Sequence, residues 1–220
     1  MQRKVRVFTY LCGFIGIAII LLAALMAALT YKSPEGYSYS VLNHNISDLG
    51  KPYVSQLATF FNWGLRIGGL FLAGFMIGLS FYVQHPRVRI VALPGAVAAV
   101  GVIFIGVYPV SEFYYHRTAA EVFFVTGMIT FAAFTVVILS TKQSQLAKWL
   151  AIPSFIATLA FIAFVLLPLY LYRVLGRAYI LGPPGPGRPI FWLPSLLEWF
   201  VFLTVAAWVL IVSWYLYRHE

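Results

Sequence analysis

Most of the side chains in this sequence that could do chemistry fall in two short polar segments. Residues 43–51 read Asn-His-Asn-Ile-Ser-Asp-Leu-Gly-Lys, and residues 111–117 read Ser-Glu-Phe-Tyr-Tyr-His-Arg. His44 and Asp48 stand four apart, as do Glu112 and His116, so on a helix each pair would share a face. Two imidazoles and two carboxylates suit a zinc ion with one position left for water. That makes His44, Asp48, Glu112 and His116 a candidate metal set, and a metal-dependent hydrolase at the outer leaflet one candidate function. The set lacks a His-x-x-x-His or cysteine cluster. The competing reading is that Asn45, Ser47 and Asp48 only cap and turn a loop as it re-enters the membrane. The four histidines, His44, His85, His116 and His219, all fall at or beyond helix ends, which disfavours haem held between facing helices. No cofactor is expected.

Three further ionisable side chains, Arg66, Glu121 and Glu198, sit within or at the start of long apolar runs, where such groups are functional candidates. Thr118-x-x-Glu121 and Ser195-x-x-Glu198 match the capping box, which predicts that they open the fourth and sixth helices. Arg66 lies about nine residues into the second run, near 14 Å from its end at 1.5 Å per residue. An arginine at the centre of a span costs about 2.5 kcal/mol or more, so a partner inside the bundle is expected, with Glu121 or Glu198 in reach. Two readings stand: a structural ion pair, or an anchor for an anionic lipid or substrate head group in a polar cavity.

The elements that must position these groups follow from composition. The chain is 220 residues, 62% hydrophobic and 10% charged, against about 25% charged in soluble domains. A soluble or disordered chain is excluded. A span of about 20 apolar residues crosses a bilayer, and six stretches qualify, at about 8–30, 57–83, 90–108, 118–140, 150–172 and 195–217. These are continuous runs, unlike the alternating ten-residue strands of a barrel. The fold class is all-α, a polytopic six-transmembrane-helix bundle forming a single domain. The first run follows a basic stretch at Arg3, Lys4 and Arg6 but exceeds signal-peptide length and has no clean cleavage pattern, so it reads as a retained helix.

Lys and Arg sort the loops into two sides with net charges of +7 and +3, Arg66 standing apart. The richer side is predicted to be cytoplasmic and to carry both termini. The overall +9 is therefore an orientation signal and implies no nucleic-acid partner. Cys12, the single cysteine, reads as a small buried hydrophobe, and the outer loops hold their shape without disulfides. Gly64/Gly68 and Gly74/Gly78 have the spacing that lets helix backbones approach, with the glycine-bearing third helix a plausible partner. Pro94 and Pro168 are predicted to kink their spans. The 173–194 loop contains Gly-Pro-Pro-Gly-Pro-Gly-Arg-Pro at 182–189, a stiff extended connector or a docking arm for a protein partner.

No Gly-x-Ser-x-Gly, Walker or Cys-x-x-Cys-His motif is present, and neither paired repeats nor broken helices point to a transporter. The string Ile46-Ser47-Asp48-Leu49-Gly50 resembles a signature of the membrane family called domain of unknown function 998. So do Phe61-Asn62 with Gly64 and Gly68–Gly69, the turn Gly106-Val107-Tyr108-Pro109, and His116 with Ala120. The likeness covers roughly 40–135, and a more distant one extends to the DRAM-like membrane proteins. It implies a six-helix bundle with Ser47, Asp48, Gly50, Pro109 and His116 gathered at its outer mouth. It implies no activity; DRAM-like proteins are associated with membrane and lipid regulation. The 182–189 loop departs from the pattern.

The expectation is an inner-membrane protein without catalysis. Arg66, Ser47, Asp48, His116, Glu121 and Glu198 would form an outward polar pocket for membrane lipid or a partner protein. The hydrolase and an accessory subunit docking through 173–194 are the alternatives.

Overall fold

The computed structural model describes residues 2–33, 36–83, 85–141, 145–175 and 189–219, with the side chains of Tyr172 and Leu175 also left aside. Six helices account for most of it: α1 (Gln2–Thr30), α2 (Ala58–Tyr82), α3 (Pro86–Val107), α4 (Phe113–Ser140), α5 (Ala151–Leu175) and α6 (Leu193–Arg218). Each has the length and hydropathy of a membrane span, and the protein is an all-α multi-pass membrane bundle. Helices α1, α3, α4 and α6 start before their apolar runs. Pro86 opens α3, where its missing N–H costs nothing, and α4 begins at Phe113, five residues ahead of the expected capping box.

The helices alternate in direction. Ala23 meets Gly64 and Thr9 meets Gly78 across α1 and α2, while Asn62 lies by Gly106 and Met76 by Gly95 across α2 and α3. Consecutive helices pack together around the bundle, and α1 closes it against α6. One end, here the terminus side, carries residue 2 and residue 219. The other, the loop side, carries 31–57, 108–112 and the start of α6.

Helices α1 and α2 approach closely at their glycines. A Cβ added to Gly16 would lie 3.1 Å from the carbonyl oxygen of Gly68, and one on Gly68 would overlap Ile20. Gly64 and Gly68 therefore serve the first helix, and Gly69 alone turns toward α3 at Ala99 and Ile103. Pro94 and Pro168 lie inside α3 and α5, where each removes one helix hydrogen bond.

The middle and terminus-side half of the bundle are filled by aromatic rings. Trp208 is buried against Phe75, Phe131 and Phe134, with ring centroids 5.9, 5.1 and 5.2 Å away. Its indole N–H finds the hydroxyl of Ser154 at 2.6 Å, as a buried indole requires. Helix α5 is most deeply packed in its first half, where Ala157, Ala160 and Phe161 are buried; beyond Phe161 none of its described residues is buried, though Phe164 stacks on Phe124 with centroids 4.1 Å apart. Leu22, Leu70, Ile90, Val136 and Ile152 are among the exposed side chains that meet lipid.

Candidate functional site

The loop side is built around a short 3-10 turn, Ile46–Gly50, and its local chemistry explains the polar string 43–51. The Asn45 N–H donates to Asp48 Oδ2 at 3.0 Å, and the Asp48 N–H donates to the Asn45 carbonyl at 3.1 Å. Asp48 is buried in that role. The first N–H groups of the turn, on Ile46 and Ser47, have no partner within the turn itself. They donate to the carboxyl group of Glu198, on α6. Ser195, one turn earlier on the same helix, donates its hydroxyl to Asn45 Oδ1 at 2.8 Å.

Other contacts bind the loop to α6 and α2. Trp199 Nε1–H donates to the Tyr39 hydroxyl at 2.9 Å, and that hydroxyl donates to the Asn45 carbonyl at 2.9 Å. The Trp192 N–H reaches the Leu42 carbonyl at 2.8 Å. The turn ends on α2, where the buried Asn62 side chain donates to the Gly50 carbonyl at 2.9 Å. A Cβ on Gly50 would overlap Asn62 Oδ1, which accounts for glycine there. Burial pushes the Tyr39 phenol well above its ordinary value; the Trp199 N–H opposes this, and the nearby Glu198 and Asp48 carboxyls add to it.

Beneath the turn lies a cavity of about 100 Å³. Its wall comes from α1, α2, α3, α4 and α6 and is apolar, with Phe61, Leu65, Phe123 and Phe202 among its side chains. Among the described lining residues three are polar: Ser47, His116 and Glu198. His116 Nδ1 is 2.8 Å from the Tyr108 carbonyl, so Nδ1 carries the proton. A smaller cavity of about 40 Å³ continues along the axis and shares Leu72, Val102, Phe123 and Val205 with the first. No described residue of α5 lines the first cavity.

Several expectations are corrected by this geometry. Arg66 meets neither glutamate: its Nε–H donates to the Gly106 carbonyl at 2.8 Å, and its guanidinium lies 4.7 Å from the Trp63 ring centroid. The physical reason is that Gly106 ends α3, where an orphan carbonyl and the negative end of the helix dipole supply a partner without a carboxylate. Glu121 is exposed and pairs with Arg117 at 2.7 Å, one helical turn away and outside the cavity. Neither expected capping box forms. Thr118 lies inside α4 and donates to the Tyr114 carbonyl at 3.0 Å, and α6 begins ahead of Ser195, freeing Ser195 and Glu198 to serve another segment.

The proposed metal set does not assemble. Among the described residues, no three His, Cys, Asp or Glu side chains gather as a metal would require. His44 precedes the turn that holds Asp48 and is buried between Tyr31 and Tyr39, with Nδ1 2.7 Å from Asn43 Oδ1. Glu112 caps α4 from outside and is exposed, while His116 points inward. The structure thus brings Ser47, Asp48, His116 and Glu198 to one place and leaves Arg66, Glu121, His44 and Glu112 elsewhere. Asn62, Tyr39 and Trp199 hold the site and were missed; a lone amide in an apolar run was the available signal for Asn62. The Gly-Pro segment 182–188 lies outside the described residues.

No curated protein and no solved structure matches the chain. The distant likeness to DRAM-like proteins is not shown by these comparisons. A family model does match, described as Protein of unknown function (DUF998), over residues 14–215. The match takes in α2 to α5, most of α1 and α6, the 3-10 turn and the polar end of the cavity, and the chain belongs to that family.

Proposed function

We propose that this protein is a non-catalytic component of the cytoplasmic membrane that holds a lipid-like amphiphile in its axial cavity, head group toward the 3-10 turn. The observation that carries the reading is the cavity itself: an apolar chamber in the loop-side half, closed by Ser47, His116 and Glu198 at one end. Apolar walls with a few converging polar groups are the pattern of a ligand site. The two chambers lie in line and share Leu72, Val102, Phe123 and Val205, a long narrow shape that suits a single alkyl chain. The Lys and Arg bias supports an orientation with both termini in the cytoplasm and this end of the cavity outward.

The test is lipid analysis of the purified protein in nanodiscs, beside Ala206→Phe and Ala120→Leu, two substitutions that fill the chamber. A molecule retained at near one per chain by the parent and depleted in both variants supports the reading. Equal retention in variants that melt like the parent overturns it.

A further inference from the structure

The polar end of the cavity has a definite hydrogen-bonding sense. His116 spends its Nδ1 proton on the Tyr108 carbonyl, so the neutral ring has only the Nε2 lone pair left to offer. Glu198 brings a carboxyl group that already accepts from the Ile46 and Ser47 N–H groups and has lone pairs left over. The Asp48 carboxyl stands close enough to act electrostatically on Glu198. Ser47 adds a hydroxyl able to donate or accept. Among the described residues no Lys or Arg lines the chamber, and Arg66 is committed to Gly106 and Trp63. An anionic head group would meet the Glu198 carboxyl and the His116 lone pair, with the Asp48 carboxyl behind them. A donor head group would find partners for its protons.

We infer that the cavity selects a single-chain amphiphile with a protonated amine head group, seated against Glu198 and His116 Nε2, and rejects phosphate and carboxylate heads. This rests on the amphiphile-binding reading above and names its ligand class. An ammonium group supplies three donors and a positive charge. The acceptors around the chamber end are Glu198, His116 and Ser47, with the Asp48 charge behind them. A charge-assisted bond in such a low-dielectric site is worth more than at a surface. An alcohol of the same chain length offers one donor and no charge, so it should bind more weakly.

The experiment uses the full chain in nanodiscs of neutral phospholipid and titrates octylamine, octanol, octanoate and octyl phosphate by calorimetry. Each titration is repeated on Glu198→Gln, which keeps an acceptor oxygen for the turn, and on Ala206→Phe. Expected is saturable octylamine binding, weaker octanol binding and none for the two anions. Glu198→Gln should weaken the amine about tenfold or more, the scale of one charge-assisted bond, and leave octanol nearly unchanged. Ala206→Phe should remove the binding of octylamine and of octanol. Binding of octanoate or octyl phosphate at least as tight as octylamine, blocked by Ala206→Phe, overturns the amine assignment and leaves the cavity reading standing. Equal affinity for octanol and octylamine, or an amine affinity unmoved by Glu198→Gln, likewise overturns it. If none of the probes binds, or binding survives Ala206→Phe in a protein that melts like the parent, both readings fall. Should Glu198→Gln not fold, His116→Phe, which removes the Nε2 acceptor, is measured in its place with the same expectation for the amine.

Discussion

Asn62 and Gly50, twelve residues apart, lock the 3-10 turn onto the second helix from both directions. The amide nitrogen of Asn62 donates to the Gly50 carbonyl at 2.9 Å, while its oxygen occupies the space a Gly50 side chain would need. Gly50→Ala is therefore expected to displace Asn62, and Asn62→Ala to leave the buried carbonyl of Gly50 unsatisfied. Each should destabilise the protein by about 1–3 kcal/mol. The double variant should be less destabilised than the sum of the two, because loss of the Asn62 amide makes room for the methyl group added at position 50. Thermal unfolding of the four proteins in one detergent checks this; strict additivity would mean that the two residues do not share the site.

Arg66 is expected to behave as a structural residue. Arg66→Ala loses the bond to Gly106 and the stacking on Trp63, a loss of about 1–3 kcal/mol. The content of bound amphiphile should not change, since Arg66 lies outside the chamber lining. Melting temperature and extracted lipid, measured on the same sample, separate the roles. An unchanged melting temperature with loss of a lipid would restore Arg66 as a head-group anchor.

Lys148 holds the terminus-side end of α4. Its ammonium donates to the carbonyls of Ile138, Leu139 and Thr141 at 2.5, 2.8 and 2.6 Å, satisfying acceptors that the helix end leaves open and opposing its dipole. Lys148→Met keeps most of the alkyl stem and removes the cap. We expect a loss of about 1–3 kcal/mol, read as a lower melting temperature, and faster amide exchange at the end of α4. Unaltered exchange there would show the cap to be dispensable.

Tyr39 gives stability a dependence on alkaline pH. Its folded-state value lies above the ordinary 10.0, so the neutral phenol is favoured in the folded protein. The associated stability is complete below the unfolded value and is lost as pH climbs past it, because only the unfolded chain then ionises readily. Tyr39→Phe lacks that term. The difference in melting temperature between parent and Tyr39→Phe should be constant from pH 7 to 9 and should shrink above about pH 10. A difference that widens with pH would contradict the buried, Trp199-bonded phenol.

The six spans were legible because apolar runs of bilayer length admit few other folds, and the turn residues Asn45, Ser47 and Asp48 were legible because their types favour local backbone bonds. The partnerships were not. Ser195-x-x-Glu198 has the spacing of a self-capping helix start, yet both side chains serve a segment about 150 residues earlier, and spacing along one helix carries no information on what packs beside it. Arg66 misled for a related reason: the expected partner was a side-chain anion, but a helix end offers a carbonyl that no residue letter announces. The four-residue spacings His44/Asp48 and Glu112/His116 had meaning only on a helix, and in each pair the first residue lies ahead of the helical segment.

Because neighbouring helices pack in chain order and the first closes on the last, the chamber has no complete wall until α6 is in place. During synthesis the first five helices can pair one after another as they enter the bilayer, yet the 3-10 turn waits for Glu198 and Ser195 with its donors unmet. Entry of α6 and creation of the site are thus a single event, and a nascent protein stalled before the sixth helix would present an open, lipid-filled trough whose head-group end lacks Glu198.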